Sequence, residues 1–383
     1  MKVNFNQTLP IYKYQHTQRT SQNQSVTNDT VLQPETLLSP SLSLANFPNV
    51  SFSSRITKGN KNHDMLFLLS QVDKLKCAYS RKPMIASSEA KKIYAKLDKR
   101  SNAQAAINYL EHCEKYMHEI ESQIFDMFKE APHKGKQTFQ TILQDLKPDA
   151  LVRLKSKQIA ILTDTNKYIS KMSEPIAQQV IAVRDEALQK VEDDTFGRKS
   201  LLEKLKLIKA EGTDLLNVIK VYQAWYKFPR STNDVDAFIV QYSKEPHEAI
   251  AKRLISTAVA TVEHVKPQAR GGEDSLSNFL LVSARFNNER DTMPLDEYIK
   301  LNDEVNIKVN LQKYMDDVIH EVNNKKSTFS TRSYYPKAIT LTVQNETNNL
   351  VELETKGLRV TKAQIRDGVN PDRLSQRFIV KRK

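Results

Sequence analysis

The chain of 383 residues is expected to be mainly α-helical with a small α+β part, and three features of the sequence lead there. From Ser87 to about Ser256 apolar side chains recur at helical spacing. From Thr257 onward the pattern changes to strand, loop, strand, helix. Residues 1–60, rich in Ser, Thr, Asn and Gln, show neither a period of two nor one of 3.6.

Residues 1–60 are therefore expected to be a disordered polar region, with an export or docking signal read by another machine as the alternative. Order is expected to begin near His63. In the helical stretch the clearest example is Ala105, Ile107, Leu110, Tyr116, Ile120, Ile124 and Phe128. Only three of the eight glycines (Gly135, Gly197 and Gly212) fall in this region, each where a helix can end. Pro132, Pro148, Pro229 and Pro246 mark further breaks. One helix is predicted across Leu201 to Trp225 and a short one across Pro246 to Ile255, within a bundle spanning 88–256.

Charge and cysteine content narrow the function classes. Lys and Arg outnumber Asp and Glu by 58 to 45, giving a net charge of +13 that favours polyanionic partners such as nucleic acid. Two cysteines, Cys77 and Cys113, exclude a disulfide framework and a four-cysteine zinc site within the chain. A reducing, cytoplasmic setting is the default expectation, with export by a specialised secretion route as the other possibility. No run approaches the roughly 20 apolar residues of a membrane span, so a soluble protein with no membrane partner is expected.

The densest chemistry lies between Thr257 and Arg290. Thr257 to Val262 reads as a short strand running into Glu263 and His264. A loop follows, Val265-Lys266-Pro267-Gln268-Ala269-Arg270-Gly271-Gly272, with two glycines side by side. Asn278 then precedes an apolar strand, Phe279 to Val282, and Ser283 to Arg290 allows two helical turns carrying Asn287 and Asn288.

Glu263-His264, Pro267, Gly271-Gly272, Asn278-Phe279 and Asn287 together resemble the HNH endonuclease family. The usual pattern there is an acidic residue and His, a Pro and Gly-Gly loop, Asn-Leu, and Asn or His nine residues later. The resemblance covers some 40 residues and implies a ββα-metal core and hydrolysis of phosphodiester bonds. By it, His264 is the general base, since imidazole titrates near neutral pH. Glu263 and Asn287 hold one Mg²⁺, or another divalent ion such as Mn²⁺, through oxygen donors. Asn278 bonds backbone across the loop and aims the His. Glu263 stands where Asp is commoner, and the turn of a helix directs Asn288 away from the site. Lys266, Arg270, Arg285 and Arg290 flank the motif as candidate phosphate contacts.

A fainter resemblance lies upstream, in Leu75 to Met84, to the zinc knuckle that often opens these domains. Only Cys77 is present. Ser80, Ser283 and Phe286 stand where the other thiolates are expected, so no structural zinc is expected, with packing of Tyr79, Met84 and Phe286 in its place. Residues 61–87 would then form the first part of the nuclease domain, 88–256 a helical insertion and 257–325 the catalytic core with a closing helix. The closing segment is expected to bury Leu295, Tyr298, Ile299, Leu311, Tyr314, Met315 and Ile319.

Residues 326–383 form a basic extension with a strand-like Ala338 to Val343. Its end, Lys356 to Lys383, holds nine basic residues against two acidic and suits non-specific phosphate contact. The expected partner is nucleic acid, DNA in preference to RNA, with a protein partner possible at the insertion. The alternative is a non-catalytic nucleic-acid-binding or scaffold protein that keeps the HNH fold.

Overall fold

A computed structural model describes residues 76–131, 137–274, 276–324 and 335–359. The expectations for residues 1–60, for the start of order near His63, for Pro132 and Gly135, and for the tail beyond 359 lie outside the described residues.

Helix α1 (Ser87–Leu97) buries Ala90, Ile93 and Leu97 on one face. The following apolar run divides into α2 (Ala103–Leu110), a 3-10 turn at Glu111–Tyr116 and α3 (Glu119–Glu130). Asn102 caps α2 by accepting from the Ala105 amide at 2.9 Å. Helix α4 (Phe139–Asp164) begins at a capping box between Thr138 and Thr141.

Pro148, expected to break the chain, lies inside α4. An interior proline costs about 3 kcal/mol through its lost amide and ring clash. Burial of Phe139, Ile142 and Leu143 before it, and of Ala150 and Leu154 after it, in one core holds the two halves in line.

Short α5 (Asn166–Ile169) and α6 (Glu174–Glu192) follow. The single helix predicted across Leu201 to Trp225 is instead two, α7 (Arg198–Lys206) and α8 (Gly212–Tyr226). In α7 the buried side chains are Leu201, Leu202 and Leu205; in α8 they include Val218, Val221 and Trp225. At about 100° per residue, these two sets fall on roughly opposite sides of one continuous helix. The break lets both face the same core, which also holds Leu162, Val180 and Val191. Helices α9 (Val235–Tyr242) and α10 (His247–Ser256) return to the first helical core.

The sheet is a two-stranded antiparallel pair, β1 (Ala260–His264) and β2 (Phe279–Ser283), with Ala260 opposite Ser283 and His264 opposite Phe279. Helix α11 (Ala284–Arg290) leaves β2 directly. The segment ahead of α1 joins this unit. The Ala78 amide donates to the Leu281 carbonyl at 2.9 Å, and Ile85 exchanges bonds with Ala258 and Ala260 at 3.0 and 2.9 Å. Cys77, Ala78, Tyr79 and Met84 thus share a core with residues 260–353, while the chain between builds the two helical cores.

Helices α12 (Leu295–Leu301) and α13 (Glu304–Asn323) close the unit, and the seven apolar residues expected on their inner face are all buried in it. Ala338 to Val343, read as strand-like, lies within helix α14 (Tyr335–Glu346). Tyr335, Ile339 and Val343 repeat every four residues and are fully buried, so tertiary packing overrides the strand preference of the residues between. The Tyr335 hydroxyl donates to the Phe279 carbonyl at 2.8 Å and so ties α14 to the start of β2. No described helix is long and apolar enough to cross a membrane.

Candidate functional site

Adjacent residues of a strand face opposite ways, and β1 ends on two that matter. His264 stays half-buried, with Phe279 packed edge-on to its ring at a centroid distance of 4.8 Å. Glu263 turns inward and is only 3% exposed.

The loop between the strands is held by Asn278. Its side-chain oxygen accepts from the Lys266 amide at 2.8 Å, and its amide nitrogen donates to the carbonyls of Lys266 and Glu273 at 3.0 and 2.9 Å. One buried side chain therefore pins both ends of the loop, the backbone-bracing part that the resemblance implied for it. The paired glycines permit this closure for different reasons. Gly271 has φ +79°, a left-handed conformation that side chains resist. At Gly272 a Cβ would stand 1.8 Å from the Lys266 carbonyl oxygen, so nothing larger than glycine fits.

The braced loop delivers Asp274 to the histidine. Asp274 Oδ1 lies 2.8 Å from His264 Nε2 and accepts from Gln268 Nε2 at 2.7 Å. An ionised carboxylate only accepts hydrogen bonds, so Nε2 carries the proton in this pair and Nδ1 is left as the basic nitrogen. Sequence reasoning missed Asp274 and Gln268. The carboxylates Glu273 and Asp274 are visible after the Gly-Gly pair, but which one meets His264 depends on how the loop closes.

Glu263 and Arg290 form a buried ion pair. Arg290 also donates to the carbonyls of His264 at 2.7 Å and Val265 at 2.5 Å. Burial pushes the Glu263 carboxyl up and Arg290 opposes that shift. Arg290, expected to meet phosphate, is only 1% exposed, so that expectation is corrected: its three acceptors are internal.

Asn287 donates from its amide to Thr261 Oγ1 at 3.2 Å and to the Val262 carbonyl at 3.4 Å, which seats α11 against β1. Asn288 is exposed. Lys266 is half-buried on the loop, and exposed Arg270 donates to the Thr292 carbonyl at 3.0 Å. Arg285 lies on the opposite face of α11 from Asn287, beside Glu289.

Glu263, as arranged here, does not present the free carboxylate that a hard dication needs. Mg²⁺ keeps several waters and asks for free carboxylate oxygens. One oxygen of Glu263 is taken by Arg290, and the other is sealed from solvent with the buried Tyr79 hydroxyl as its polar neighbour. Among the described residues, no group of three or more His, Cys, Asp or Glu is placed to hold a metal ion.

The upstream segment closes a turn through Cys77 N to Lys82 O at 2.9 Å and Arg81 N to Cys77 O at 2.8 Å, with Arg81 at φ +58°. Buried Cys77 Sγ accepts from the Ser283 amide at 3.5 Å. Phe286 packs edge-on to Tyr79 at 6.1 Å and to His118 at 5.7 Å. Burial, with Arg285 and Lys82 nearby, lowers His118 to about 3. Tyr79, Met84 and Phe286 thus fill this junction with apolar contact.

Comparison with protein-family models, curated proteins and solved structures found no match.

Proposed function

We propose that the chain is a phosphodiester hydrolase of the HNH type acting on DNA, with His264 as general base. The observation that carries it is the His264–Asp274 pair at the end of β1, on a loop braced by Asn278. Asp274 holds the proton on Nε2, so Nδ1 takes one from an attacking water. The carboxylate then steadies the imidazolium that forms. Water oxygen bonds to phosphorus as the bond to the leaving sugar oxygen breaks. Lys266 and Arg270, on the same loop, offset charge on the phosphate.

A metal-dependent step through Glu263 and Asn287 would require the carboxylate to leave Arg290, and no step is assigned to it. That buried pair favours a second reading, a nucleic-acid-binding or scaffold module in which Glu263 is purely structural.

The test is nicking of supercoiled plasmid by the full chain with Mg²⁺, Mn²⁺ or EDTA, comparing wild type with His264→Ala and Asp274→Asn. The expected result is nicking that falls about 10²- to 10⁴-fold in His264→Ala, the usual worth of a general base. Asp274→Asn should also lower it and change its pH profile. No cutting under any condition, with DNA binding intact in all three proteins, would establish the second reading instead.

A further inference from the structure

Away from the His264 loop, two arginines from distant parts of the sequence meet on one carboxylate, and a third, Arg198, stands beside them on the Tyr226 ring and donates to the Tyr226 carbonyl at 3.0 Å. Arg285 and Glu289 come from the face of α11 opposite Asn287, Arg230 from the connection after α8, and Arg198 from the start of α7. Arg285 Nε lies 3.5 Å and Arg230 Nη2 4.0 Å from the same oxygen of Glu289. Arg198 and Arg230 share the Tyr226 ring, with guanidinium carbons 5.0 and 5.5 Å from its centroid. Arg285 in turn lies 5.6 Å from the Phe286 ring.

The cluster is under-neutralised. Three fixed positive charges share this region with the single carboxylate of Glu289, and the Nε atom of Arg230 is buried without a hydrogen-bond partner. Burial, followed by repulsion from Arg230, lowers the Arg198 guanidinium. A purely structural ion pair has no use for two surplus cations in a partly desolvated place. Arginine forks on aromatic rings are preorganised for a tetrahedral oxyanion. Side-chain exposures of 21% for Arg230 and 17% for Arg285 leave their outer edges open to one.

We propose that Arg198, Arg230 and Arg285 form a phosphate-binding site that grips the nucleic-acid backbone where the helical region meets α11. The ligand class rests on the nucleic-acid reading above; the site itself requires no catalysis. It gives the helical region a task, since two of the three arginines come from it.

The experiment measures fluorescence anisotropy of a labelled duplex of about 20 base pairs with the full chain in EDTA, from low to moderate salt. Variants are Arg198→Gln, Arg230→Gln, their double, and Lys199→Gln, an exposed neighbour with the same charge change. Each arginine variant should weaken binding about 3- to 10-fold and reduce the salt slope by about one, with Lys199→Gln changing affinity less than about twofold.

Pyrophosphate should compete in wild type and not in the double variant. Competition by pyrophosphate with no arginine effect on the duplex would assign the site to free phosphates and overturn the backbone role. Unchanged duplex affinity with a lowered Tm in the arginine variants would make the cluster structural and overturn the proposal. Because no cutting is read, an inactive DNA-binding protein still supports it, while an active nuclease whose binding ignores these arginines refutes it alone.

Discussion

Replacing one partner of the Glu263–Arg290 pair should cost far more than replacing both. Arg290→Met strands a carboxylate that is 3% exposed and leaves the carbonyls of His264 and Val265 without their donor. Losing one partner of a buried pair costs about 3–5 kcal/mol. Glu263→Leu strands a guanidinium that keeps its two carbonyls, which places it near 3 kcal/mol, the lower end of about 3–5 kcal/mol. In the double variant only the carbonyls remain unpaired, a cost of about 1–3 kcal/mol. The coupling is then at least about 3 kcal/mol, read by urea unfolding of all four proteins. Additivity within about 0.5 kcal/mol would refute the argument, since it would mean that the carboxylate does not depend on Arg290. Millimolar Mg²⁺ asks whether Glu263 can change partners: stabilisation of Arg290→Met that is absent in the double variant would show the freed carboxylate binding the ion.

The two loop glycines should respond unequally to alanine. Gly271→Ala meets no atom within 4 Å and pays only the left-handed backbone cost, about 1–2 kcal/mol. Gly272→Ala drives a methyl into the Lys266 carbonyl and should cost more than about 3 kcal/mol or displace the loop, with loss of any His264-dependent activity. Thermal unfolding of the two variants checks the order, and equal losses would contradict the geometry. His118 should make the fold acid-sensitive. Its folded value of about 3 lies below the ordinary 6.5, so the unfolded chain binds the proton first. The contribution is complete above about pH 6.5 and falls by about 1.4 kcal/mol per unit as pH drops toward 3. Denaturation from pH 7 to 4 should therefore show a shallower loss in His118→Gln than in wild type, and parallel curves would remove His118 as the cause.

Local patterns that repeat with a regular period were readable in the sequence. The inward faces of α3, α12 and α13, and the succession of β1, loop, β2 and α11, follow from the spacing of apolar residues and the placement of Gly271, Gly272 and Asn278. Helix breaks were less readable because they depend on phase relative to a core that the sequence does not display. Pro148 is carried through a helix buried on both sides of it, whereas the break between α7 and α8 comes at Gly212, one of the glycines named as a possible helix end, inside a stretch predicted as one helix. Ala338 to Val343 has strand-forming residues and becomes helix because Tyr335, Ile339 and Val343 meet one core surface.

At the candidate site the division is sharper. The sequence by itself determined which groups are present: an imidazole beside a carboxylate at a strand end, a loop with two adjacent glycines, and an asparagine able to brace it. Only the tertiary structure decided how they pair. Glu263 goes to Arg290 and His264 to Asp274 because strand alternation sends neighbouring side chains to opposite faces, and because helix α11 and the closed loop each bring one partner into reach. Distances of that kind are set by packing across the chain, which residue order along it does not contain.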